Sequence, residues 1–525
     1  MHDPKADPFH AHDHSLKLVA WNVSSRYAAI IVEMVIGLLM LPFNIGHLGQ
    51  SAYGLWLLSA SLTTHFNILD LGFGGSLLKF TAQFRARRDV LALNEAVSTM
   101  FVLFAGVGLL AYSGALIVAH HLDFFFALTP DQAETGKWVV MIVAIPVALN
   151  FPFSVYGGVV GGFQRYHINS TVAIATSLCV AAANVAVLQA GYGLIELVMA
   201  TTSVRVVSYF AYRLNAHRIF PALHVRPSLF RRHRIRELTS FGIYWAMIDW
   251  ANRLNYSLDA LVAGAFLGPA AVAVWAVAER LIHGTQVLTN QLNGVLFPVV
   301  VDSDALERRE RLQRVLIEGT RFSLAMVLPV AMGLVTLSGP LIYAWVGRKE
   351  PNLMGSVIVV QILAFSVATR VGNATASVIL KGAGEHKMLA WTNILTGVVN
   401  IGLSMLLVQW YGLAGIAIGT LIPVATSATL VIFPAACRRV GLPVRHLVAR
   451  AVWPAAWPAL VVFGLLAVAR GVIEQTLLSV AITGALAALL YVALFFGLAL
   501  QRRDRELYTT KALEILGRRP LPSAV

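Results

Sequence analysis

The sequence predicts an all-α polytopic membrane protein of about fourteen transmembrane helices, and three observations carry that prediction. The 525-residue chain is 58% hydrophobic and only 13% charged. Its mean hydropathy of +0.72 is higher than a soluble domain tolerates while covering itself with polar surface. Residues Met388–Cys437 carry no charged side chain over fifty positions, far beyond the ~20 apolar residues that one spanning helix needs. That run breaks only at QWYGLAG, so it reads as two spans joined by a tight turn.

Apolar runs place the spans near residues 18–45, 53–79, 95–120, 137–162, 168–190, 192–213, 237–265, 270–300, 315–346, 353–380, 388–409, 412–437, 451–469 and 475–500. The net charge is +14, which in a soluble protein would suggest nucleic acid. Here the basic residues alternate with the spans. With the N-terminus inside, only Lys137, Arg348, Lys349 and Arg470 of the 40 Lys and Arg fall in outer segments. Arg205, Arg253, Arg280 and Arg370 sit within spans, and the remaining 32 lie at the inner side. This is the positive-inside pattern, and it predicts N-in/C-in topology and no nucleic-acid partner. Residues 1–17 read as a polar tail rather than a cleavable signal peptide, so the first span is expected to serve as its own signal. The N-terminal histidines His2, His10, His12 and His14 are assigned to that tail rather than to a metal. Cys179 and Cys437 suggest neither a disulfide framework nor a metal site.

An internal repeat organises the spans. LGQSAYGLW (Leu48–Trp56) and LGPAAVAVW (Leu267–Trp275) share the pattern LGxxAxxxW. The first lies between spans 1 and 2, the second between spans 7 and 8. An offset of six spans gives two halves of equal orientation, a parallel pseudo-two-fold repeat. The expected layout is a tail (1–17), a first six-helix lobe (18–213) and a basic cytoplasmic loop (214–236). A second six-helix lobe (237–437), spans 13 and 14 (438–500) and a basic cytoplasmic tail (501–525) follow.

Ionisable residues within the spans mark the candidate site. A charge at mid-bilayer costs at least ~2.5–3.5 kcal/mol, so such residues face protein or a wet cavity. They are Arg26 and Glu33 in span 1, Asp70 in span 2, and Glu196 and Arg205 in span 6. The second half adds Asp249, Arg253 and Asp259 in span 7, Glu279 and Arg280 in span 8, and Arg370 in span 10. Eight of these eleven belong to spans 1, 2, 7 and 8, the pairs that the repeat makes equivalent. Arg26 and Glu33, seven apart, share a helix face. Asp249 and Arg253, four apart, either pair within one helix or face a cavity. Asp70 precedes a Gly-rich patch where a helix breaks easily; it is either a cavity carboxylate or a structural one. Arg205 and Arg370 lie nearer the inner ends, where they can snorkel. Pro42, Pro146, Pro298, Pro329 and Pro423 are read as kinks, and GGVVGG (Gly157–Gly162) as a helix-packing site.

The segment RYAAIIVEMVIGLLMLPFNIGHLGQSAYGLWLLSASLTTHFNILDLGFGGSLLKFTAQFRARRD resembles the start of polysaccharide transporters of the multidrug/oligosaccharidyl-lipid/polysaccharide (MOP) flippase superfamily. Those have an LGxxxxG loop, an LDLG-type motif and a basic inner loop. The second half resembles them again in YSLDALVAGAFLGPAAVAVWAVAERL followed by GVLFPVV, and the likeness covers residues 18 to 437. It implies a non-enzymatic, two-lobed exporter in the inner membrane that flips an undecaprenyl-type lipid-linked oligosaccharide by alternating access, for surface polysaccharide assembly alongside membrane lipids and other assembly proteins. Arg26, with Arg253 and Arg280 from the second half, are the candidates for the substrate diphosphate, a role inferred from charge and depth. Glu33, Asp70, Asp249, Asp259 and Glu279 are candidates for cavity carboxylates coupling to H⁺ or Na⁺, with no other cofactor and no metal site expected.

Two alternatives lie in the same superfamily, a multidrug or organic-cation antiporter and a peptidoglycan-precursor flippase. Cavity arginines and two extra C-terminal spans count against the first, the LDLG-type motif against the second. An oligosaccharide polymerase or ligase would need a large outer loop, and the longest one here is Leu122–Gly136.

Overall fold

A computed structural model describes residues 16–66, 69, 73–235, 258–500 and 505. Among them no strand occurs. Ten helices are long and apolar enough to cross a membrane, with Lys387–Val440 counted as one. The helices are α1 (Leu16–Leu48), α2 (Gln50–His65), α3 (Phe73–Arg87), α4 (Val90–His120), α5 (Leu122–Phe125), α6 (Pro130–Gly162), α7 (Tyr166–Gln189) and α8 (Leu194–Ile219). After them come α9 (Asp259–Leu267), α10 (Pro269–Ala305), α11 (Arg309–Ile342), α12 (Ser356–Gly382), α13 (His386–Thr426), α14 (Phe433–Val440), α15 (Trp453–Ala469) and α16 (Leu477–Leu494). The chain divides into two compact units, Met1–Arg280 with Val408–Ile416, and Leu281–Leu407 with Ala417–Val525.

In the first unit α4, α6 and α8 form the core and α1 packs along α7. Leu93, Val97, Met100 and Phe104 follow the i, i+4, i+7, i+11 stripe of one helix face and meet Phe151, Val155 and Val159 of α6. Lipid is as apolar as these side chains, so close packing rather than escape from water holds such helices together. Glycines supply the closeness. A Cβ at Gly158, Gly161 or Gly162 would stand 2.8, 3.0 and 2.3 Å from Leu77, Leu78 and Thr81 of α3. GGVVGG is therefore a packing surface, as its sequence suggests. Span 2, expected as one helix over 53–79, is instead split into α2 and α3. Residues 67–68 and 70–72, which lie between α2 and α3, are outside the described residues.

The repeat is a repeat of backbone conformation. Gly49 (φ 79°, ψ 162°) joins α1 to α2, and Gly268 (φ 81°, ψ 178°) joins α9 to α10. Both angles lie where a Cβ is poorly tolerated, which explains the shared LG. The two motifs also touch. A Cβ at Gly54 would lie 1.8 Å from the Pro269 carbonyl oxygen, and one at Gly264 would lie 2.5 Å from Leu58. The Gln50 amide donates to the Ala270 carbonyl (2.9 Å).

The loop expected at Leu122–Gly136 is shorter than its sequence suggests. Thr129 and Gln132 form a capping box that starts α6 at Pro130, and the Gln132 amide reaches Ser51 (2.9 Å). Glu196 is no membrane-buried charge. It lies in the first turn of α8 and accepts from the Gly193 N–H (3.1 Å), the favoured place for a carboxylate.

The basic loop after α8 is fastened to one polar face of α4. Asn94 donates to the Ala222 carbonyl (2.9 Å) and accepts from the His224 N–H (3.0 Å). Ser98 donates to the His224 carbonyl and accepts from the Arg226 N–H. Thr99 accepts from the Arg231 N–H, and Glu95 pairs with Arg231 (3.1 Å) and Arg234 (3.4 Å). Two arginines of RRHRIRE thus have a structural partner.

In the second unit α11 and α12 pack through small residues, with Gly319 against Thr375 and Gly372 against Leu324. The α13 helix kinks at Gly412 (φ 55°), within the Val408–Ile416 segment that belongs to the first unit, matching the turn expected at QWYGLAG. Phe495, just past α16, packs on Phe322 of α11, and the Tyr491 hydroxyl of α16 donates to the Ala455 carbonyl of α15 (3.0 Å). Asp304, near the end of α10, pairs with Arg439 of α14 (2.7 Å). Cys179 and Cys437 are both free.

Two outcomes follow. Gly54→Ala, whose Cβ meets backbone, is expected to cost about 1–3 kcal/mol, the range for overpacked interiors, read as a lower thermal-unfolding midpoint in detergent. Gly46→Ala, which meets nothing within 4 Å, leaves that midpoint unchanged or higher. Glu95→Gln frees the basic loop and is expected to speed tryptic cleavage at Arg231 and Arg234 about severalfold, since each arginine loses a charge-assisted bond.

Candidate functional site

The candidate residues that the structure describes lie on α1 (Arg26, Glu33), α9 (Asp259) and the start of α10 (Glu279, Arg280), all within the first unit. Asn22 anchors one end of α1. Its amide donates to the Gln164 carbonyl (2.7 Å) and its Oδ1 accepts from the His167 N–H (3.0 Å). This fixes the helix against the start of α7, four residues before Arg26.

Arg26, Glu33 and Gly37 fall within about 40° of one another around α1, at 100° per residue. The contact at Gly37 tells which way that face points. A Cβ there would lie 2.7 Å from Nη1, 2.9 Å from Cζ and 3.3 Å from Nε of Arg280. The Arg280 guanidinium therefore lies against the bare backbone of α1, and the Arg26–Glu33 stripe turns toward it. Both charged residues of the stripe are exposed. The Tyr53 hydroxyl of α2 also stands beside Arg280, and Tyr53 is only 3% exposed. Three helices thus converge on one guanidinium.

None of the ion pairs recorded among the described residues involves Arg280 or Arg26. Glu279, about 100° around α10 from Arg280, is exposed. Asp259 is buried at the first position of α9, where the helix N-terminus favours a carboxylate. Arg205 is exposed on α8 and Arg370 half-buried on α12. Asp70, Asp249 and Arg253 lie outside the described residues, as does nearly all of the N-terminal histidine tail. No cluster of three or more metal-ligating side chains occurs among the described residues.

Charge and depth alone pick out Arg26, Glu33 and Arg280, but not Gly37 and Tyr53. The signal for Gly37 is its register, four residues past Glu33 and eleven past Arg26 on one face. Nothing in the sequence marks Tyr53, because the contact joins residues 227 positions apart.

Comparison with known proteins agrees with this architecture. A probable flippase, AglR of Haloferax volcanii, is 22% identical over 420 residues, 78% of this chain and 81% of that protein. The membrane protein MJ1068 of Methanocaldococcus jannaschii is 22% identical over 66% of this chain and 70% of its own length. Among solved structures, the lipid II flippase MurJ in an inward closed conformation aligns with a TM-score of 0.70 at 12% identity, covering 90% of this chain and 98% of that one. An inward-facing multidrug-resistance MATE transporter of the MOP superfamily aligns at 0.61 with 16% identity, covering 78% and 98%. The fold is that of MurJ and the MATE transporters. The model of the polysaccharide biosynthesis protein family matches residues 48–350; that is more than half of the chain, and the chain belongs to this family.

Proposed function

We propose that the protein flips a lipid-diphosphate-linked oligosaccharide from the cytoplasmic to the periplasmic leaflet by alternating access, as a transporter and not an enzyme. The observation that carries this reading is the Arg280 guanidinium set against Gly37, at the head of the Arg26–Glu33 face. A fixed cation deep in an apolar helix is expensive, and it suits a substrate that brings its own negative charge. The printed description of the AglR relative as a probable flippase supports the same reading.

Each part of the substrate has its physical counterpart. The sugar head needs a wet cavity, the diphosphate needs fixed positive charge, and an undecaprenyl-type tail stays in lipid. Arg26, Arg253 and Arg280 take the diphosphate. Glu33, Asp70, Asp249, Asp259 and Glu279 supply cavity carboxylates for coupling to H⁺ or Na⁺. The protein lies in the inner membrane with about fourteen spans, N-in/C-in, in two six-helix lobes with two C-terminal helices appended. It serves surface polysaccharide assembly and meets the other proteins of that assembly there.

The test is flipping of a fluorescent undecaprenyl-diphosphate oligosaccharide in proteoliposomes. Wild type is expected to flip it, and Arg26→Ala and Arg280→Ala to slow flipping by about tenfold or more, because a charged hydrogen-bonding group is worth ~1.5–3 kcal/mol. Export of an organic cation under a proton gradient, with no flipping, would establish the antiporter alternative instead.

A further inference from the structure

We infer that Gly37 and Tyr53 are positioning residues that hold the Arg280 guanidinium in the orientation that receives the diphosphate. The inference rests on the flippase reading and deepens it. A guanidinium offers five N–H groups in one rigid plane, and binds phosphate best when two of them point at it together. On a flexible side chain that orientation is one rotamer among many. Here two helices select it.

The first constraint is α1. Nη1, Cζ and Nε all approach the position of the missing Gly37 Cβ, at 2.7, 2.9 and 3.3 Å. One side of the guanidinium therefore runs along bare backbone, and any larger residue at 37 pushes it off. The second constraint is the Tyr53 hydroxyl, which stands beside the Arg280 side chain and limits where it can swing. Tyr53 is itself closely packed. It is buried, its ring meets Trp56 edge to face at 6.0 Å, and the next residue, Gly54, is pressed against the Pro269 carbonyl. The joint between the two LG motifs thereby fixes the hydroxyl. Arg280 stays partly accessible and enters none of the ion pairs recorded among the described residues; the adjoining Glu279 acts on it only through its charge.

The experiment measures initial flipping rate against the mole fraction of undecaprenyl-diphosphate oligosaccharide in proteoliposomes, giving apparent KM and maximal rate. Tyr53→Phe keeps the ring and removes only the hydroxyl. Gly37→Ala adds only the methyl, against the far end of a flexible side chain. Each is expected to raise apparent KM about three- to tenfold, the net worth of one ordinary hydrogen bond, with a smaller change in maximal rate. In an Arg280→Ala background neither substitution adds a further loss, because residues acting through one group are not additive. Gly46→Ala is the folding-neutral control. If Arg280→Ala slows flipping while Tyr53→Phe and Gly37→Ala match wild type, the positioning role fails and the diphosphate reading stands. If both substitutions impair the Arg280→Ala protein as strongly as wild type, they act elsewhere and the inference is overturned. If Arg280→Ala itself matches wild type, the diphosphate reading fails and the positioning role with it.

Discussion

A guanidinium inside an apolar helix is the constraint around which the first unit is arranged. Arginine remains charged under all ordinary conditions, so the protein cannot neutralise Arg280 and must give it polar company or water. It lies against an open strip of backbone on α1, with the Tyr53 hydroxyl of α2 beside it. Both are neutral groups, and they orient the cation without cancelling its charge. A carboxylate in the same place would satisfy the arginine and leave little for a substrate anion.

Holding three helices around one side chain demands close approach elsewhere, and glycine makes it possible. Gly54 admits the Pro269 carbonyl, Gly264 admits Leu58, and the Gly158–Gly162 segment admits α3. In lipid there is no water to expel between helices, so such contacts carry the cohesion that a hydrophobic core carries in a soluble protein. The polar contacts then sit where apolar packing ends. Asn22 ties α1 to α7, and the Asn94–Glu95–Ser98–Thr99 face ties the basic loop to α4. Each polar side chain in these sets meets a backbone group or an opposite charge, which an apolar surrounding enforces.

Much of the fold is legible in the order of the residues. Apolar run length dictates spanning helices because hydrocarbon leaves no other partner for backbone N–H and C=O groups. The LGxxAxxxW repeat is legible because a left-handed joint needs glycine, and Gly49 and Gly268 adopt nearly the same angles. Boundaries are less legible. The Thr129–Gln132 capping box starts α6 well before the expected edge at residue 137, because a polar first turn lowers hydropathy without ending the helix. Glu196 misleads in the same way: it counts as a charge in an apolar window, yet it caps a helix start.

By itself the sequence determined that this is a helical membrane protein and where its repeat lies, since those properties follow from composition and local backbone preference. Only the tertiary structure decided which way the Arg26–Glu33 face of α1 points and what Arg280 rests on. A helix offers the same 3.6-residue periodicity on every face, so local pattern shows that residues share a face but not what that face meets. Gly37, Tyr53 and Arg280 come from separate helices distant in sequence, and their meeting depends on how those helices pack.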